Sequence, residues 1–283
     1  MRKVLITGEN GFIGRSLKRF LKSKSFNIVN LGDINDLNLC NWEEIKKIPK
    51  VETIIHLASN NFIPEAFQNP LNCYNNNIIS TLNILEKAKI EGSRVIFFST
   101  YVYGPPLYLP IDELHKSNPQ NPYTQSKVIC EELCKGYSRD FDVPVTIFRP
   151  FNIYGPGQNA SFFIPTIISQ INNKIIHLDD SRPKRDFLFI DDVIEAVYLS
   201  LIINGNSMRI YNLGSGNSTS VLDIANLIIQ HSGSTARIKF SNRIRQGEIL
   251  DTIADITKIK NELGWLPKVS LARGLESCIL ISA

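Results

Sequence analysis

The sequence predicts a doubly wound α/β fold with a parallel sheet and a smaller C-terminal substrate-binding region, and three observations carry that reading. Short β-branched apolar runs alternate with segments of helical period. A glycine-rich turn, TGENGFIG, joins the first run to the first helix. Beyond about residue 154 the alternation gives way to a Pro/Gly-rich stretch and isolated short elements. In order, the strands are VLIT (4–7), FNIVNL (26–31), TIIHLA (53–58), RVIFFS (94–99) and PVTIFR (144–149). GRSLKRFLKS, NNNIISTLNILEKAKI and YTQSKVICEELCKGYS read as the helices between them. Strands joined through helices need right-handed crossovers, which lay them parallel with both faces covered. Residues 1–153 therefore form the main domain. Two later pieces, FLFIDDVIEAVYLSLI and RIYNLGS (about 187–214), return to its sheet, and 154–186 with 215–283 make the smaller region.

Composition narrows the function. The chain has 283 residues, 43% of them hydrophobic and 20% charged, which suits a soluble globular protein with a sizeable core. A net charge of +4, with no basic run longer than a pair, argues against a nucleic-acid partner. The five cysteines are Cys40, Cys73, Cys130, Cys134 and Cys278; they form no CxxC and accompany no His at metal spacing, so neither a disulfide framework nor a metal site is expected. The N-terminal apolar stretch stops at Thr7, which is not the layout of a signal peptide, and no run approaches the roughly 20 apolar residues that span a bilayer. The expected setting is cytoplasmic, without a membrane partner.

The glycine turn is the first chemical signal. Gly8, Gly11 and Gly14 let the backbone approach a pyrophosphate, and the amides and dipole at the helix N-terminus favour its charge. The plainer reading is a tight strand-to-helix turn with no ligand. After the second strand comes Asp33, an acid placed to accept from the adenosine ribose hydroxyls. No basic residue follows until Lys46, so NAD is favoured, and NADP stays open. The third signal is Ser99 with Tyr123 and Lys127. Tyr123 and Lys127 are four apart and share a helix face. A free phenol, with pKa near 10, is a poor base at neutral pH, and a neighbouring ammonium favours its phenolate. Tyr123 could then exchange a proton with a substrate hydroxyl while Ser99, at a strand's carboxyl end, bonds the same oxygen. By itself YxxxK also fits a surface Tyr lying over a Lys stem.

Taken together, TGENGFIG, IIHLAS, NNIISTLN, FFSTYVYG, NPYTQSK, FRPFNIYGPGQ, PKRDFLFIDDV, YNLGSG and ADITKIKNELGW resemble the extended short-chain dehydrogenase/reductases along nearly the whole chain. The resemblance is to their NAD-dependent epimerase/dehydratase branch, which is Rossmann-like and acts on nucleotide sugars. It implies that Gly8, Gly11, Phe12, Ile13 and Gly14 hold the pyrophosphate and that Asn38 and Leu39 lie on the adenine side. It places Leu57, Ala58 and Ser59 along the nicotinamide, with Tyr123, Lys127 and Phe151 also touching the cofactor. On the substrate side it implies Ser99, Tyr123 and Asn152 near the sugar, and Arg185 and Arg245 as a diphosphate clamp. It also implies a homodimer formed through the helices containing NIISTLNILEKAKI and YTQSKVICEEL.

Departures from the family pattern refine this. Gly32 stands where many members carry the ribose acid. The loop STYVYG is one residue short, so counting back from VYG selects Ser99 whereas matching the ST pair selects Thr100; Ser99 is adopted. Relatives that dehydrate the sugar carry an Asp-Glu pair in this loop, and this chain has Tyr101 and Val102. Redox chemistry at one carbon remains: 4-epimerisation by transient oxidation, or reduction of a 4-keto sugar. A non-catalytic dinucleotide-binding scaffold is the weakest alternative, because the Tyr-Lys pair is intact.

Overall fold

A computed structural model describes residues 2–29, 37–203, 207–244 and 248–282. In chain order the first elements are β1 (Lys3–Thr7), α1 (Phe12–Ser23), β2 (Asn27–Val29), α2 (Trp42–Ile45), β3 (Thr53–His56), α3 (Ile63–Gln68) and α4 (Pro70–Tyr74). A π-helical turn (Asn75–Ile79) leads into α5 (Ser80–Glu91), followed by β4 (Arg94–Phe98), α6 (Pro122–Phe141), β5 (Val145–Pro150), β6 (Asn152–Tyr154), α7 (Phe163–Ile168) and β7 (Ile175–Leu178). The rest are β8 (Lys184–Arg185), β9 (Phe187–Phe189), α8 (Ile190–Ile202), β10 (Arg209–Leu213), β11 (Thr219–Ser220), α9 (Val221–Ser232), β12 (Arg237–Phe240), α10 (Thr257–Leu263) and α11 (Leu271–Ser282).

The chain divides into two compact units. The first comprises Met1–Gly104, Lys116–Pro150 and Ala196–Tyr211, and the second Pro105–His115, Phe151–Glu195 and Asn212–Ala283. Compared with the expected boundaries, 105–115, 151–153, 187–195 and 212–214 belong to the second unit.

The first unit is built on a six-stranded sheet ordered β10-β5-β4-β3-β1-β2, parallel in every ladder from β5 to β2. The strands run nearly without polar interruption because both faces are covered. On one face Leu5, Ile54, Val95, Phe97, Val145 and Ile147 pack with Ile84, Leu85 and Ala88 of α5 and with the thiols of Cys130 and Cys134 of α6. On α1, Leu17 and Leu21 are buried, and Phe20 meets Tyr198 of α8 edge to face at 5.5 Å. The order reverses between β1 and β3, and open α/β sheets bind ligands at the carboxyl ends of the strands at such a switch point. There Thr7 pairs with His56, and His56 with Phe97.

The second unit holds three two-stranded ladders, β6-β9, β7-β12 and β8-β11. Its centre is the buried Asp186, whose carboxylate accepts from the amides of Ser215 (2.6 Å), Gly216 (3.0 Å) and Ala254 (3.0 Å) and from the Ser215 hydroxyl (2.7 Å). That crowding dictates Gly214, where a Cβ would lie 2.6 Å from Asp186 Oδ2. Asp192 likewise accepts from the amides of Lys268 (2.9 Å) and Val269 (3.1 Å), tying α8 to the segment before α11. One expectation is corrected here. RIYNL does return to the main sheet as β10, but the FLF strand pairs with β6 instead. Both are short apolar runs, and pairing partners are a non-local property that periodicity does not carry.

Candidate active site

The glycine turn packs as a strand-turn-helix joint. Gly8 has φ +72° and its Cβ would stand 2.8 Å from the Ala58 amide; a Cβ on Gly14 would stand 2.2 Å from the Gly8 carbonyl. Close backbone approach therefore accounts for both without any ligand. Gly11 differs: as N-cap of α1 it brings no capping side chain, and a Cβ there would meet only Gly8 O, at 3.2 Å. An open cradle above an uncapped helix N-terminus fits a dinucleotide pyrophosphate.

Helix α6 delivers the next groups. Asn121 caps it, its Oδ1 accepting from Thr124 N at 2.9 Å while Thr124 Oγ1 accepts from Asn121 N at 3.3 Å, and Pro122 occupies the first position. This fixes Tyr123 in the first turn, where the helix dipole favours a phenolate. The hydroxyls of Thr100, just past β4, and Ser59, just past β3, are the polar side chains that bear on the Tyr123 phenol. Burial pushes the phenol up to about 12, and these two hydroxyls pull in the opposite direction. One turn on, Lys127 is buried with its ammonium 4.6 Å from the centre of the Phe97 ring, and desolvation draws its pKa down.

The Ser99 hydroxyl does not join this group. It donates to Oε1 of Glu131 at 2.5 Å, in a buried cluster in which Arg149 also pairs with Glu131 at 2.6 Å. Thr100, the alternative to Ser99, is the hydroxyl that bears on Tyr123.

Beneath lies a polar network that periodicity did not expose. Asn77, in the π turn, is buried; its Oδ1 accepts from Asn60 N at 2.7 Å and its Nδ2 donates to Asn60 O (3.2 Å) and Ser126 Oγ (2.9 Å). Ser126 in turn donates to the Tyr123 carbonyl at 2.7 Å. One amide thereby ties the segment after β3 to the first turn of α6. π turns recur at functional sites because the extra residue re-aims side chains.

The other expected residues are distributed as follows. The Asn38 side chain is exposed and accepts from Cys40 N at 2.9 Å, and Leu39 packs against the core. Leu57 and Ala58 are partly buried just past β3, and the Ala58 amide donates to Thr7 Oγ1 at 3.3 Å. In the second unit Phe151 is buried, and the Asn152 amide donates to Asp186 O at 3.1 Å. The Arg185 guanidinium is paired with Glu248 and donates to Lys184 O at 2.8 Å. Asp33 and Arg245 lie outside the described residues. Among the described residues no helix is long and apolar enough to cross a membrane.

The parallel sheet, the glycine-rich turn and the Tyr-Lys helix define an NAD(P)-dependent enzyme of the extended short-chain dehydrogenase/reductase type. The chain belongs to the NAD dependent epimerase/dehydratase family, whose model matches residues 4–214. It is 28% identical to the GDP-6-deoxy-D-mannose reductase of Pseudomonas aeruginosa, over 98% of this chain and 96% of that one. Two solved structures superpose with a TM-score of 0.92 at 26% identity, each covering 99% of this chain and 98% of its own. One is RMD from Pseudomonas aeruginosa complexed with NADPH, and the other is the UDP-glucose 4-epimerase of Thermotoga maritima with UDP-glucose.

Proposed function

We propose that the chain interconverts a nucleotide-diphosphate hexose with its 4-epimer by transient oxidation at C4. The observation that carries this is the convergence of Thr100 and Ser59 on Tyr123, one turn before the buried Lys127, in a loop whose neighbours are Tyr101 and Val102. That set offers one proton-transfer group and no Asp-Glu pair beside it, which suits chemistry confined to one carbinol. Bound NAD would accept and return the hydride. Tyr123 takes the proton of the sugar hydroxyl and later gives it back, Thr100 holds the same oxygen, and Lys127, with the dipole of α6, favours the phenolate. Gly8, Gly11, Phe12, Ile13 and Gly14 cradle the pyrophosphate, Asp33 the ribose, Asn38 and Leu39 the adenine side, and Leu57, Ala58, Ser59 and Phe151 the nicotinamide side. Asn152 faces the substrate, and Arg185 with Arg245 grips its diphosphate, guanidinium forks matching phosphate oxygens. A homodimer is part of the same reading.

Protein purified without added cofactor should carry NAD and interconvert UDP-glucose and UDP-galactose, or the corresponding pair on another nucleotide, with no net change in NADH. The similarity to GDP-6-deoxy-D-mannose reductase supports a second reading, reduction of a 4-keto-6-deoxy nucleotide sugar. Cofactor-free protein that oxidises NADPH only when given such a ketone would establish the second and displace the first.

A further inference from the structure

The geometry points to Glu131 and Ser99 as positioning residues that aim Thr100 at Tyr123. Glu131 stands one turn beyond Lys127 on α6, so Tyr123, Lys127 and Glu131 form a single row at i, i+4 and i+8. Its carboxylate grips the turn after β4 at both ends. At the near end it accepts the Ser99 hydroxyl at 2.5 Å. At the far end it acts through Arg149, whose Nε lies 3.0 Å and Nη2 2.6 Å from the carboxylate while Nη1 donates to Tyr103 Oη at 3.0 Å. The guanidinium also lies 5.2 Å from the centre of the Tyr103 ring. Thr100 sits between these two anchors. With its amide bonded to Phe148 O at 2.8 Å and its hydroxyl held by Glu131, Ser99 is fixed on both backbone and side chain, and this fixes the residue after it, Thr100, whose hydroxyl bears on Tyr123 two turns back along α6. A charged pair buried this deeply is costly to maintain and destabilises the fold if half is removed, which makes it a stiff anchor. The groups that bear on the phenol are Thr100, Ser59 and the thiols of Cys73 and Cys130; Lys127 stands one turn along the same helix. Ser99 reaches the phenol through Thr100, and Glu131 through Thr100 and through its charge on Lys127.

This inference rests on Tyr123 as the proton-transfer group, and the test separates the two. With NAD bound at saturation, Tyr123 ionisation is read as the tyrosinate absorbance difference against Tyr123→Phe, for the parent, Ser99→Ala, Thr100→Val and the double variant. Ser99→Ala is chosen because it leaves the Glu131–Arg149 pair whole. Expected is an upward shift of about half to one pH unit for each single variant, and no more for the double variant than for Thr100→Val alone. An unshifted Ser99→Ala, or shifts that add in the double variant, would overturn the positioning role. No difference between the parent and Tyr123→Phe anywhere in the titration would instead sink Tyr123 as the proton-transfer group.

Discussion

Thr7 Oγ1 lies 2.7 Å from Nδ1 of the buried His56 and donates to it. On the other side of the ring, Thr81 spends its proton on Asn77 O at 2.6 Å and so accepts from His56 Nε2 at 3.1 Å. These bonds assign the neutral Nε2–H tautomer. Burial, with the charge of Lys127 second, lowers the imidazole pKa from 6.5 to about 3.

An acid-side instability follows. Between pH 6.5 and about 3 the unfolded chain binds a proton at His56 and the native protein does not, so the stabilisation is complete above 6.5 and is lost as pH falls through that window. The slope from this one group is at most about 1.4 kcal/mol per pH unit. Urea midpoints measured from pH 7 to 4 should fall more steeply for the parent than for His56→Gln. Parallel curves would disprove the neutral imidazole.

The proton transfer is open to direct attack. Tyr123→Phe should lose on the order of 10² to 10⁴ in turnover while binding NAD nearly as well as the parent. Lys127→Met should weaken NAD binding and move the alkaline limb of the rate profile upward, since the phenolate loses its cation. An unchanged profile would make Lys127 a bystander.

Two glycines in the same turn should respond differently to one methyl group. Gly11→Ala meets only the Gly8 carbonyl, at 3.2 Å, so the variant should melt within a few degrees of the parent yet bind NAD more weakly, the methyl projecting into the cradle. Gly14→Ala places its Cβ 2.2 Å from the same carbonyl and should cost folding itself. Calorimetric melting and NAD titration of the pair would decide, and equal NAD affinity for Gly11→Ala and the parent would count against the pyrophosphate site.

Arg185→Ala and Arg245→Ala should each raise the substrate KM by about ten- to a hundredfold with cofactor affinity nearly unchanged, as expected for the loss of a charge-assisted contact worth about 1.5–3 kcal/mol. Because Arg185 is held by Glu248, Glu248→Gln should alter KM in the same assay and leave NAD binding alone. Variants that bind nucleotide sugar as the parent does would leave both arginines structural.

How much of this the sequence disclosed depended on how local the determinant was. The β1-turn-α1 joint and the start of α6 were legible because each is written within a few residues, as three glycines after an apolar run and as Asn-Pro-Tyr-Thr. The separation of Ser99 from Thr100 was not, because the group that takes the Ser99 hydroxyl is a carboxylate 32 positions away. The row of Tyr123, Lys127 and Glu131 was the available signal. Asn75–Ile79 read as ordinary helix because a single wide turn barely disturbs apolar periodicity.

That wide turn sets a rule for chain length. Its extra residue rephases everything downstream by about 100° of helical rotation, so the face that carries Asn77 toward α6 and the face that carries Ile84, Leu85 and Ala88 into the sheet are reconciled only at this count. Excising one residue between Asn75 and Ile79 would give α5 a more regular backbone and yet screw its apolar ridge off the strands. The exposed positions Asn75 and Ile79 can accept changes of side chain, whereas a frame change of one residue would uncouple the two faces the segment keeps in phase.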